Sequence, residues 1–369
     1  QILMAGLTHD CGAFMLEERE QLADFESVFN ARDVHQHGHR GAALLERVDW
    51  FRPMAAIVRW HHRHWSDDEG ETPLGSHILH VADRAAVSID PERAALEQSS
   101  DIRERIRRQS GQMFCPDVVD AFMQASQSEA FWFDMTSHNL RRCLLDAPCQ
   151  WNVALDQERL NQVVRLFASI IDFRSRYTST HSAGVAAAAT AIARHMGFNR
   201  VEQNRMQAAG HLHDLGKLAV SAETLQKKGK LNEAQMSAMK RHPYLGYRAL
   251  ETVPELRQIS AWAFLHHERI DGSGYPFGLT WDDLPLGARI MSAADVFGAC
   301  REDRPYRTAK TPDETLAILE EEAADGKLDD RVVGTVEAHL DDIAAKVDRA
   351  RAKAEGEYEQ VSEAAQKVK

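Results

Sequence analysis

Apolar residues recur along this chain at helical spacing and almost nowhere at the spacing of a strand. Leu160, Val163, Val164, Phe167, Ile170 and Ile171 fall on one side of a helical spiral, so a helix is expected there. After Asp325-Gly326, the residues Val332, Val336, Leu340, Ile343 and Val347 read as the apolar face of one final helix. Beyond Glu355 the chain turns polar, as a frayed end or tail would. Alternation of Val, Ile and Thr is nearly absent, so the expected fold class is all-α. The arginine-rich run Asp101 to Arg108 reads as a solvated helix, with a partner or nucleotide contact as the second reading. Phe131-Trp132-Phe133 reads as core or interdomain packing, and Asp146-Ala147-Pro148 as a break between segments.

Onto this helical pattern the chain places 18 histidines, many at helix ends or in short connections. In the second half they form an ordered series. His181 opens an Ala-rich helix, and His213-Asp214 follows in Gly210-His211-Leu212-His213-Asp214-Leu215-Gly216-Lys217. His242 comes next in His242-Pro243-Tyr244-Leu245-Gly246, then the pair His266-His267, then Asp295. Singly, each is an ordinary packed or exposed residue, and Gly216-Lys217 lacks the Ser or Thr of a phosphate loop, since Leu218 stands there. Jointly, five histidines and two carboxylates make a mixed nitrogen and oxygen donor set suited to first-row ions such as Fe, Mn or Zn. The absence of cysteine among them argues against an iron–sulfur cluster or a thiolate zinc site.

Seven donors exceed what one such ion accepts. A carboxylate can bridge two ions, and Asp214 beside His213 is placed to do so. Two ions roughly 3.5–4 Å apart can hold a bridging hydroxide and stabilise in-line displacement at phosphorus. Lys217, one turn from Asp214, can reach non-bridging phosphate oxygens. The chemistry indicated is phosphoester hydrolysis, with Asp214 and Lys217 as the catalytic pair.

At this point the residues resemble a known family, the HD-GYP phosphodiesterases within the HD metal-dependent phosphohydrolases. The likeness runs from about Asp156 to Leu340. It includes Tyr177-Thr178 before His181, His213 to Lys217, Leu225 to Leu231, and His242-Pro243. It continues through the block His266 to Pro276, Leu286 to Ile290, and Arg304-Pro305-Tyr306-Arg307. The resemblance implies hydrolysis of a cyclic dinucleotide, cyclic di-GMP or cyclic GMP-AMP, to a linear dinucleotide. It implies two divalent ions, iron or manganese first, with zinc, nickel or magnesium as alternatives. Carried over by position, one ion falls to His181, His213, Asp214 and Asp295, and the other to Asp214, His242, His266 and His267. Lys217, Tyr275, Arg304, Tyr306 and Arg307 are the implied substrate contacts. Two departures stand out. Tyr177 replaces the glutamate of members with a third ion, so two ions are expected. Gly298 stands where the family has an acid, which bears on a hydrogen bond behind the ligands.

The first half repeats the series. Ala5-Gly6-Leu7-Thr8-His9-Asp10-Cys11-Gly12 parallels Ala209 to Gly216, and His37 with Gly41 parallels His242 with Gly246. The spacing from His37 to His61 equals that from His242 to His266, 24 in each case. His62 and Asp83 complete a set of six second-site metal candidates with His9, Asp10, His37 and His61. The Gly-Tyr-Pro turn is missing, the segment before Pro73-Leu74-Gly75 is seven residues shorter, Ala13 replaces Lys217, and Glu92 falls where Arg304 would. The expectation is two tandem HD-type domains, 1–150 and 151–350, with a polar helix or tail over 351–369. The first would be regulatory or dimerising, or a second phosphohydrolase acting on the linear product.

Composition bounds these readings. A formal net charge of -12 argues against a nucleic acid polymer as partner. Five scattered cysteines without CxxC spacing fit free thiols in a reducing cytoplasm. The Ala-rich run from Ser182 to Ala193 is too short to span a bilayer. Opening at Gln1 in mid-pattern without an initiator Met, the chain is expected to be a fragment. Partners expected are the cyclic dinucleotide and, as a further class, a second copy or a signalling protein. The rival readings are a cyclic-dinucleotide receptor that does not cut, and an HD hydrolase of another nucleotide.

Overall fold

A computed structural model describes residues 1–14, 34–137, 156–173, 180–227, 229–302 and 308–366. Among them every regular element is helical. The β pairings among these residues are isolated bridges, Ser110 with Phe114 and Asp271 with Thr280. The chain divides into two compact units, the first drawn mainly from residues up to Gln157 and the second from Glu158 to Gln360. None of the described helices is long and apolar enough to cross a membrane.

The first unit contains α1 (Ile2–Thr8), α2 (Val34–Leu45), α3 (Arg52–Arg59) and α4 (Leu74–Val87). After these come α5 (Ala95–Arg108), α6 (Pro116–Ala125) and α7 (Glu129–Met135). The α5 helix buries Gln98, Ile102 and Ile106 and turns its arginines outward or partly outward, as a one-sided solvated helix does. These apolar residues join Val81, Phe114, Val119 and Trp132 in one core. Trp132 is buried and donates its indole N–H to the Ser126 carbonyl at 3.0 Å. Phe133 corrects the expectation of shared packing: it is exposed, because successive helical positions point about 100° apart and cannot all face one core.

The second unit runs α8 (Gln157–Asp172), α9 (His181–His195) and α10 (Arg200–Leu212). Next are α11 (Ala222–Gln226), α12 (Glu233–Lys240), α13 (His242–Leu250) and α14 (Arg257–Ala263). It ends in α15 (Leu286–Cys300), α16 (Pro312–Ala324), α17 (Asp330–Ala338) and α18 (Leu340–Gln366). Capping boxes start α10, α12 and α16, where Asn199, Asn232 and Thr311 pair with Glu202, Gln235 and Glu314. The alanines of α9 let it sit at the centre of the core beside Met206, Trp262, Phe264, Ile290 and Phe297. One expectation changes. The apolar face from Val332 to Val347 belongs to two helices, because His339 leaves helical geometry (φ -133°, ψ 27°) between α17 and α18. Its ring stacks on His195, with centroids 3.7 Å apart. The last helix then runs unbroken past residue 350, with Val361 buried.

Candidate metal centre

The predicted histidine ligands of the second unit sit at or just beyond helix ends, and Asp295 lies inside a helix. His181 is the first residue of α9, His213 caps α10, and His242 opens α13. His266 and His267 follow α14 by three and four positions, and Asp295 lies within α15. The turn of helix over Leu215–Ala219 brings α13 against the end of α10, and Gly216 makes that approach feasible. A Cβ on Gly216 would overlap the carbonyl oxygen of His242. The first unit repeats the device, since a Cβ on Gly12 would overlap the carbonyl oxygen of His37.

The donor atoms converge. His181 Nε2 and His213 Nε2 are 3.2 Å apart, and both face Asp295 Oδ1, at 3.3 and 3.6 Å. His242 Nε2 lies 3.4 Å from His266 Nε2, and His267 groups with them. Asp214 stands between the two groups. Its Oδ2 faces His213 and His181 at 3.4 and 3.7 Å, while Oδ1 faces His242 at 3.4 Å and accepts no hydrogen bond although buried. Nitrogens bound to one ion at about 2.0–2.1 Å must lie roughly 3 Å apart, as these do.

The ring orientations have a local cause. Nδ1 of His213 donates to the Gly210 carbonyl at 2.8 Å, His242 to Met239 at 2.7 Å and His266 to Ala263 at 2.6 Å. A carbonyl only accepts, so Nδ1 carries the proton and Nε2 keeps its lone pair for the centre. Burial, with the His267 ring beside it disfavouring a second proton, holds His266 well below its ordinary pKa. Burial and Lys217 bring His242 down to about 3, and burial brings His267 down to about 4. All three are neutral, as ligands must be. Asp214 is opposed by burial, yet His213, Lys217 and His242 hold its carboxyl well below the usual range.

Sequence reading missed three acids. Glu302 is buried and accepts from His181 Nδ1 at 2.9 Å. Burial works against a proton on His181, but Glu302 and Asp295 raise it well above its ordinary value. A divalent ion on Nε2 would displace that proton. Glu302 lies four residues beyond Gly298, just past the end of α15, so the acid expected at 298 is supplied there, and Gly298 instead packs against Val185. The signal for Glu302 was its spacing from Asp295, seven residues on. Asp172 ends the apolar face of α8 and accepts from Ser182 Oγ at 2.7 Å, with burial pushing its carboxyl up to about 7. Glu268 is buried and accepts from the Phe277 and Leu279 amides at 2.7 and 2.9 Å. It thereby ties the Gly-Tyr-Pro turn to the histidine pair.

Among the implied substrate contacts, Lys217 Nζ donates to Asp214 Oδ2 at 2.6 Å, and Tyr275 stacks on His267 with centroids 4.7 Å apart. Burial, with Asp295 and Asp214 nearby, keeps the Tyr275 phenol protonated. Lys240 Nζ lies 5.2 Å from the same ring. Arg304, Tyr306 and Arg307 lie outside the described residues, as do Tyr177, Thr178, Lys228 and the Asp146-Ala147-Pro148 break.

The six candidates of the first unit also meet. Asp10 divides its oxygens as Asp214 does, Oδ2 toward His9 Nε2 at 3.2 Å and Oδ1 toward His37 Nε2 at 3.3 Å. His37 Nε2 and His61 Nε2 are 3.2 Å apart, and His62 groups with them. His9 and His61 give Nδ1 to the Gly6 and Val58 carbonyls, at 2.7 and 2.5 Å. Asp83 Oδ1 is 3.6 Å from His9 Nε2.

Two family models, both described as HD domain, match residues 165–332 and 1–87. Over 350 residues the chain is 29% identical to the 3'3'-cGAMP-specific phosphodiesterase 1 of Vibrio cholerae, covering 91% of this chain and 80% of that protein. To the 3'3'-cGAMP-specific phosphodiesterase 3 of the same organism it is 32% identical, over 76% of this chain and 62% of the relative. A Xanthomonas campestris protein, the cyclic di-GMP phosphodiesterase response regulator RpfG, is 41% identical over 165 residues, 44% of each chain. A crystal structure of the cyclic GMP-AMP phosphodiesterase V-cGAP3 of V. cholerae superposes with a TM-score of 0.58 at 27% identity, covering 85% of this chain and 74% of that one.

Proposed function

Because the chain belongs to the HD-GYP phosphodiesterases of the HD-domain superfamily and carries two HD domains, we propose that its second unit hydrolyses a cyclic dinucleotide to the linear product at a two-ion centre. The observation that carries this is Asp214, whose two oxygens face separate histidine groups while one of them, buried, lacks a hydrogen bond. Such an acceptor fits a cation shared with His181, His213 and Asp295 on one side and His242, His266 and His267 on the other. Bound there, two divalent ions supply water activation and neutralise charge on the phosphate.

The chain's own groups do the rest. Nδ1 bonds to backbone carbonyls and Glu302 hold the imidazoles in the ligand tautomer. Lys217, partly exposed beside Asp214, offers an ammonium to the non-bridging oxygens of a phosphodiester. Tyr275, fixed over His267, presents its ring at the centre. The substrate we favour is 3'3'-cyclic GMP-AMP. Relatives named for it align over 350 and 290 residues, spans that require both units, whereas relatives named for cyclic di-GMP align over 165, 149 and 174. A cytoplasmic location fits the scattered cysteines.

The test is anaerobic reconstitution with Fe or Mn, followed by chromatography of products from 3'3'-cyclic GMP-AMP and cyclic di-GMP. Loaded protein is expected to release the linear dinucleotide. His213→Ala or Asp214→Ala should lower turnover by more than the roughly 10–100-fold that losing an outer-shell partner costs. Full turnover by stripped protein would reject the proposal, and binding without product would make the unit a receptor.

A further inference from the structure

The two histidine clusters differ at one buried charge. On α4, the residue after Asp83 is Arg84, fully buried, whereas the matching position after Asp295 on α15 is Val296. The Arg84 guanidinium donates twice to Asp83 Oδ2, from Nη2 at 2.6 Å and from Nε at 3.1 Å. A buried arginine needs such an anionic partner, because an uncompensated charge out of water is costly. One oxygen of Asp83 is therefore already paired with the full positive charge of Arg84. A dication on its other oxygen would add a second cation a few ångströms away at low dielectric, where like charges repel strongly.

Among the described residues, no arginine or lysine forms an ion pair with the donors of the other half of the cluster, although the Arg84 charge is felt at His62. His37, His61 and His62 are buried with ligand atoms within 4.8 Å of one another. Neither ring nitrogen of His62 has a hydrogen-bond partner. Asp10 Oδ1 closes the set 3.3 Å from His37 Nε2. In the second unit the counterpart of His62, His267, is instead covered by Tyr275.

We propose that the first unit binds a single divalent transition-metal ion through His37, His61, His62 and Asp10, and that Arg84 stands in for a second ion as the partner of Asp83. This is a departure from the two-ion centre of the second unit and is independent of whether that unit is catalytic.

The test uses the full chain carrying His213→Ala and His266→Ala, which removes a donor from each group of the second unit. The protein is stripped, loaded anaerobically with Mn(II) alone and desalted, then assayed for bound manganese and for its paramagnetic resonance signal. About one ion per chain is expected, with the hyperfine pattern of isolated Mn(II), and adding His61→Ala removes both. Retention of no ion, or of about two with the broadened signal of a coupled pair, overturns the proposal. Protein without substitutions gives a parallel count. About three ions per chain are expected there, and about four would overturn the assignment. In the doubly substituted background, Asp83→Asn keeps an acceptor for Arg84 and should leave the ion bound. Its loss would make Asp83 a ligand and refute the role given to Arg84.

Discussion

At the scale of single residues, the centre depends on proton placement as much as on position. Nδ1 of His9, His61, His213, His242 and His266 each donates to the carbonyl three residues back. That habit turns a helix end into a ring mount. His181 differs, since its Nδ1 donates to the buried carboxylate of Glu302. Glu302→Gln is expected to weaken metal binding roughly 10–100-fold while leaving the fold intact. Competition with a chromophoric chelator measures this, and unchanged affinity would remove Glu302 from the centre. That these histidines and carboxylates converge was legible in the sequence, because spacing between like residues survives any detail of packing. Glu302, Glu268 and Asp172 were not, because a lone acid declares its role only when a distant partner is known.

At the scale of elements, helices were readable from the apolar period, and their ends were not. The residues Val332 to Val347 keep one apolar phase across His339, so the break between α17 and α18 is invisible to periodicity. The approach of α13 to the turn after His213 was legible only as a glycine shared by both halves. Its cause is steric, a backbone-to-backbone contact beneath Gly216 and Gly12. Gly216→Ala must push His242 away from His213, at a cost typical of overpacking, about 1–3 kcal/mol. Urea titration of the apo-protein should show that loss, and metal retention should fall with it. A variant of unchanged stability and metal content would mean the contact relaxes freely.

At the scale of the whole molecule, the chain is one helical plan used twice with different electrostatic endings. The second unit carries Lys217 on Asp214, and the first carries Arg84 on Asp83. Ions that bind only folded protein stabilise it by about 2.7 kcal/mol at a hundred times the dissociation constant. Scanning calorimetry of the full chain should therefore show unfolding raised by Mn(II) and lowered by chelator. His266→Ala should shrink the effect without abolishing it, since the first unit keeps its ligands. Equal traces with and without Mn(II) would argue against metal in either unit. The residue after each histidine pair has a consequence for engineering. Glu268 anchors the Gly-Tyr-Pro turn through two amides, whereas its counterpart Arg63 donates to the Asp67 carbonyl at 2.9 Å. Grafting that turn onto the first unit therefore requires a charge reversal at Arg63 as well as the longer loop, since an inserted turn there would find a donor where it needs an acceptor.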